Sequence, residues 1–145
     1  MRFFDASALL KRYVREPEST RVRRLLRGGD VALCRLSEVE VISAFARLAR
    51  EEAISPAERD RAAAAFVADI PAWTVIEITP DVARTARRLL LQHALRSGDA
   101  LQLGAALMLQ EATGRPLREF VAYDRRLLDA AQAEQLRVGR ARPTD

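Results

Sequence analysis

The sequence predicts an α/β protein with a mostly parallel central sheet of four to five strands and helices packed on both of its faces. Three observations predict it. Short apolar runs of β character alternate with longer runs of helical period along the chain, with no internal repeat and no low-complexity segment. Alternation of this kind implies right-handed crossovers between parallel strands. The composition, 49% hydrophobic and 30% charged, is that of a chain able to bury a core, and 145 residues suffice for one core without disulfides.

Residues 2–4 read as the first strand and 5–15 as a helix that stops near Pro17. A second helix covers 19–26, after which Gly28 and Gly29 punctuate the chain. The second strand is expected over 31–35, followed by a long helix over 37–52. Another helix runs from Ser55 to about residue 69, with Pro56 in its first turn, where no backbone N–H is needed. The third strand is expected over 73–78, and helices over 81–95 and 98–112, the latter ended by Thr113 and Gly114. A fourth strand over 119–123, a helix over 125–134 and a short last strand over 136–138 complete one domain, 1–139, with 140–145 as a loose tail.

The longest apolar stretch, 103–109, falls far short of the ~20 residues a membrane span needs. Asp5 comes too early to permit the apolar region of a signal peptide, so a cytoplasmic location without membrane contact is expected. Cys34 is the single cysteine, which excludes an intramolecular disulfide and a thiolate metal site; it reads as a small buried apolar side chain. The formal charge is +4, and among 24 basic residues the one lysine is Lys11. Arginine forks suit phosphate, but a GC-rich genome choosing arginine codons yields the same composition. Nucleic acid is permitted by these numbers, not indicated by them.

In open α/β sheets, sites lie beyond the carboxyl ends of the strands. That rule selects acids. Asp5 directly follows the first strand, Asp124 directly follows the fourth, and Glu40 lies in the first turn of the helix after the second. Taken singly, Asp5 and Asp124 are satisfied as helix caps. Glu40 stands three residues after Ser37, the spacing of a capping box, and alone that reading is favoured. Asp99 is different. The helix it opens is apolar over 100–109 apart from Gln102, and Gly104 in its middle points to close packing. A carboxylate at the mouth of a buried helix is costly unless a cation or free N–H groups stabilise it. Capping does not predict several acids on one sheet edge, where like charges repel; a divalent cation removes that difficulty. Asp60, Asp69, Asp129, Glu111 and Glu134 fall within or at the ends of helices and carry no expected chemistry, and His93 reads as a surface or packing residue.

These segments resemble the PIN-domain family, and within it the VapC-type toxins of toxin–antitoxin pairs. Phe4-Asp5-Ala6-Ser7-Ala8-Leu9 is similar to the family's opening, with its first acid on Asp5 and a serine beside the metal site on Ser7. Ser37-Glu38-Val39-Glu40-Val41 resembles the segment with the family's glutamate, on Glu40. The third motif is resembled by 95–103, with its aspartate on Asp99, and the fourth by 120–128, with its aspartate on Asp124. Four weak motifs in order, in the expected settings, form a specific signal over nearly the whole chain. Ala6 and Ala122 stand where hydroxyl residues are common in the family, and Gln102 where histidine is frequent.

The resemblance implies a PIN-like three-layer sandwich. It implies a catalytic and metal-holding set of Asp5, Glu40, Asp99 and Asp124 around Mg²⁺ or Mn²⁺, with Ser7 in support. The expected activity is hydrolysis of RNA phosphodiesters, in tRNA or rRNA, leaving a 5′-phosphate and a 3′-hydroxyl. A VapB-like antitoxin, a homodimer and a toxin–antitoxin hetero-oligomer are the expected assemblies. Arg96, Arg125 and Arg126 lie near the motifs and within reach of a phosphate, although solubilising surface arginines are the commoner case. A phosphoryl-transfer enzyme of the haloacid-dehalogenase or receiver type also places an aspartate after its first strand. The first of these needs an acid at position 7, where Ser7 stands, and both use a late lysine, which this chain lacks. A catalytically silent PIN-like module that binds RNA or protein is the other alternative, and retention of four acids argues against it.

Overall fold

In the computed structural model, residues 1–139 are described. The expected tail, 140–145, lies outside them. Four strands form one sheet: β1 (Arg2–Phe4), β2 (Val31–Cys34), β3 (Thr74–Ile76) and β4 (Glu119–Val121). Their order is β3-β2-β1-β4 and every pairing is parallel. Phe3 lies opposite Ala32 on one side and Phe120 on the other. A single parallel bridge, Phe120 to Val138, stands where the short fifth strand is expected.

Alternation within these short strands splits the core in two. Phe3, Ala32, Cys34 and Phe120 point into one apolar cluster, together with Val82, Leu89, Leu103 and Leu127 from α5 (Pro80–Gln92), α6 (Ser97–Thr113) and α7 (Arg125–Ala133). Phe4, Val31, Leu33 and Val121 point into the other. There they meet Leu9, Val22, Phe45 and Phe66 from α1 (Ala6–Tyr13), α2 (Ser19–Arg27), α3 (Leu36–Arg50) and α4 (Pro56–Asp69). Strands buried on both faces read as continuous apolar runs, which is why VALC at β2 carries no polar alternation. Phe3 and Phe120 stack across β1 and β4 with ring centroids 5.6 Å apart.

The chain lays down β1, β2 and β3 in one direction, then crosses to the far side of β1 to place β4. The reversal puts the switch point between β1 and β4, where open parallel sheets leave a crevice at the strand ends. The backbone N–H of Asp5 donates to Val121 O at 3.1 Å, so the two strand ends are tied together there. The third strand is shorter than expected: a 3₁₀ turn at Ile70–Ala72 precedes it, and Thr79, three residues beyond its end, caps α5. Gly104 lies where α6 meets α5: a Cβ there would stand 3.2 Å from Val82 O, so the expected close packing is present. Cys34 is buried, as expected. Among the described residues, no helix is long and apolar enough to cross a membrane.

Candidate metal centre

Asp5 is delivered by β1 and held by α1. Its Oδ1 accepts from the Ser7 hydroxyl at 2.7 Å and from the Ala8 backbone N–H at 3.1 Å. The side chain is buried, and burial pushes its carboxyl from 3.8 up to about 7. The bonds from Ser7 and Ala8 oppose that rise, and the negative charges of Glu40 and Asp99 add to it. Asp124 begins α7 and caps it, accepting from Leu127 N–H at 2.9 Å. Capping therefore describes both residues, but it uses one oxygen of each.

Glu40 departs from the capping expectation. The helix starts earlier, at Leu36 with Arg35 at its cap, so Ser37 lies inside the first turn and makes no cap bond. A capping box with both of its bonds present is formed instead by Ser55 and Glu58. Glu40 Oε1 instead accepts from Gln102 Nε2 on α6 at 3.2 Å. Burial raises the Glu40 carboxyl above its ordinary range; the Gln102 bond opposes this, the Asp99 charge adds to it and the Arg96 charge opposes it. Asp99 lies in the first turn of α6, where it meets the free N–H end of the helix. Its Oδ2 accepts a long bond, 3.4 Å, from Arg96, whose side chain is 81% exposed.

Asp5, Glu40 and Asp99 thus lie close enough for their charges to act on one another, and burial leaves two of them reluctant to ionise. Asp99 and Asp124 share a second boundary: with Arg96, Arg125 and Arg126 they line a cleft of about 400 Å³. Among the described residues, no three His, Cys, Asp or Glu side chains close into a ready cage. The donor set nevertheless suits a hard divalent cation. Each of the four carboxylates has one oxygen engaged by a protein donor, and among the described residues the other oxygen accepts no protein hydrogen bond. A carboxylate oxygen left free in this way is the donor type suited to a Mg²⁺- or Mn²⁺-like ion that keeps waters and takes few direct protein contacts.

Ser7 does more than support Asp5, because its oxygen also accepts from Tyr123 N–H at 3.0 Å, joining the end of β1 to the segment before Asp124. Two contributors escaped the sequence reading. Gln102 was visible as the lone polar residue of an apolar helix, but nothing in the letters told which residue it meets. Gly98, beside the Glu40 carboxylate, where a Cβ would make ordinary contact at 3.5 Å from Oε1, carried no signal beyond its type. His93 pairs with Glu134 at 2.9 Å, a packing role as expected.

The PIN domain family profile matches residues 2–133. The chain is 36% identical over 140 residues to ribonuclease VapC45 of Mycobacterium tuberculosis, covering 96% of this chain and 94% of that one. The fold is similar to the crystal structure of the Mycobacterium tuberculosis toxin VapC20, which cleaves the sarcin–ricin loop. The TM-score is 0.65 at 19% identity, with 90% of this chain and 95% of that one covered. A toxin–antitoxin complex from Klebsiella pneumoniae is similar at a TM-score of 0.53 and 18% identity, covering 81% and 83% of the two chains.

Proposed function

This chain belongs to the PIN-domain family, and on that premise we propose that it is an endoribonuclease toxin of the VapC kind, hydrolysing RNA phosphodiester bonds at the carboxyl-terminal edge of its sheet. Divalent-metal dependence is general in this family, and Mg²⁺ or Mn²⁺ is the ion proposed here. Asp5, Glu40, Asp99 and Asp124 would hold it, directly or through water. When bound, the ion supplies a water made acidic enough to attack the phosphate and neutralises charge on the phosphoryl oxygens. The observation that carries this reading is the gathering of Asp5, Glu40 and Asp99, near enough for their negative charges to act on Asp5 and Glu40, where a bound cation would relieve the repulsion.

The remaining work belongs to the side chains themselves. Ser7 and the α1 N-terminus fix Asp5 Oδ1 and favour its ionised form. Arg96, Arg125 and Arg126 line the cleft beside Asp99 and Asp124, and their charges would attract the phosphates of a bound RNA. The substrate proposed is a folded RNA such as tRNA or rRNA, cut to a 5′-phosphate and a 3′-hydroxyl. The Klebsiella pneumoniae relative is a toxin–antitoxin complex; for this chain the proposed partner is a VapB-like antitoxin whose C-terminal segment covers the acidic cleft, within a hetero-oligomer built on a homodimer.

Purified protein incubated with total cellular RNA tests the reading. Cleavage is expected with Mn²⁺, and is expected to be absent in EDTA and in Asp5→Asn and Asp99→Asn. Cleavage that persists in EDTA, or in both variants, would overturn it. Mn²⁺ uptake without cleavage of any RNA would favour the silent binding module instead.

A further inference from the structure

Gln102 is buried on the inner side of α6, 1% exposed, and is the one fully buried amide side chain among the described residues. An amide in such a place is costly unless its donors and acceptors are matched. Its two Nε2 hydrogens are matched: one goes to the hydroxyl of Ser37 at 2.9 Å, the other to Glu40 Oε1 at 3.2 Å. Its Oε1 has no partner among the described residues. The arrangement is therefore lopsided. It is well built for donating toward α3 and poorly built for stabilising α6.

The two acceptors are one helical turn apart on α3, so a single amide grips that turn at residues 37 and 40. Ser37 is itself fully buried, and Gly98, one turn earlier on α6, lies beside the Glu40 carboxylate, where a Cβ would make only ordinary contact at 3.5 Å from Oε1. Asp99 lies three residues before Gln102, on the same face of α6. The amide that grips Glu40 and the carboxylate that faces it are thus carried by one rigid helix. With Oε1 engaged, the Glu40 oxygen left without a protein bond is Oε2.

We propose that Gln102 is a positioning residue of the metal centre, holding Glu40 by Oε1 so that Oε2 is presented toward the ion that Asp5 and Asp99 also face. The inference rests on the metal-carboxylate reading above. An outer hydrogen bond that orients a ligating group changes metal affinity on the order of 10- to 100-fold when it is removed. Gln102 contributes through Glu40 alone, so its effect vanishes when Glu40 no longer ligates.

The test is calorimetric titration of Mn²⁺, without RNA, into the full chain and into Gln102→Met, Gln102→Leu, Ser37→Ala, Glu40→Gln and the double variant Glu40→Gln/Gln102→Met, each with a thermal melt. Two apolar replacements are used so that poor folding of one does not decide the result. The expectation for Gln102→Met and Gln102→Leu is Mn²⁺ affinity lower by about tenfold or more, with melting temperature little changed, because removal of an unmatched carbonyl offsets the partner lost by the buried Ser37 hydroxyl. Ser37→Ala, which leaves the Glu40 bond in place, is expected to stay within about threefold of the parent. In the Glu40→Gln background, the Gln102 replacement is expected to change nothing further. Parent-like Mn²⁺ affinity in both Gln102 variants, or a Gln102 effect that persists undiminished in the Glu40→Gln background, overturns the positioning role while the metal reading stands. A parent chain that takes up no Mn²⁺ overturns both.

Discussion

Ser7 donates its hydroxyl to Asp5 Oδ1 at 2.7 Å while accepting the backbone N–H of Tyr123 at 3.0 Å, so one oxygen ties the first acid of the site to the strand that delivers the last. Ser7→Ala removes a donor that favours ionised Asp5 and leaves the Tyr123 N–H unmatched. Stability is expected to fall by about 1–3 kcal/mol in a urea melt. The half-maximal point of the pH–rate profile for RNA cleavage is expected to move upward, because the proton on Asp5 becomes harder to remove. An unmoved profile would restrict Ser7 to a structural role.

The Asp5 carboxyl is raised from 3.8 to about 7. The folded chain therefore keeps a proton that the unfolded chain has already released, and stability falls as pH rises from about 4 to about 7, then levels. The gap corresponds to on the order of 4 kcal/mol, and the raised Glu40 acts in the same direction. Asp5→Asn keeps an acceptor for Ser7 and Ala8 but carries no charge. Melts in EDTA across this range are expected to show a steep slope for the parent and a much flatter one for Asp5→Asn. The variant should be the more stable near pH 8 and inactive. Equal slopes in the two proteins would contradict the burial argument.

Asp124 combines two duties that substitution can separate. Asp124→Asn keeps a side-chain oxygen for Leu127 N–H, whereas Asp124→Ala loses the cap at a cost of about 0.5–2 kcal/mol. Both are expected to lose RNA cleavage, but only the alanine variant should melt measurably lower. Retained cleavage in Asp124→Asn would make Asp124 a cap and nothing more.

Gly104→Ala tests the packing that carries α6. The added methyl would meet Val82 O at 3.2 Å and Ala86 N at 3.4 Å, both backbone atoms that yield little. Alanine's better helix propensity returns up to about 1 kcal/mol, and overpacking costs about 1–3. A net loss of about 1–2 kcal/mol is expected from denaturant melts, with cleavage per folded molecule unchanged.

Much of the fold was legible because its determinants are local. All four strands appear where apolar runs stand between turn residues, and the seven helices begin within a residue or two of their expected starts. The two-faced burial of VALC and the close approach at Gly104 were likewise written in residue type. Boundaries were less legible, as at the third strand, where Trp73 packs against Phe66 instead of extending the ladder. Within the site, the strand-end rule singled out Asp5 and Asp124, and the apolar surroundings singled out Asp99. The Ser37–Glu40 spacing misdirected, since it matches a capping box while tertiary packing gives both residues to Gln102. Contacts of that kind, 65 and 62 residues apart, depend on how two helices lie across a sheet and leave no trace in local periodicity.

The central claim is that these carboxylates hold a divalent cation, with Asp5 among them. Because Asp5 is held near 7, an ion that binds it must displace a proton in mildly acidic solution and none in alkaline solution. Titrating Mn²⁺ calorimetrically in two buffers of different ionisation enthalpy measures that proton directly. The expected result is release of a large fraction of one proton per ion at about pH 6, falling toward none at about pH 8.5, with weakened binding and no such release in Asp5→Asn. Binding of parent-like strength in Asp5→Asn, or proton release that does not change with pH, would contradict the account.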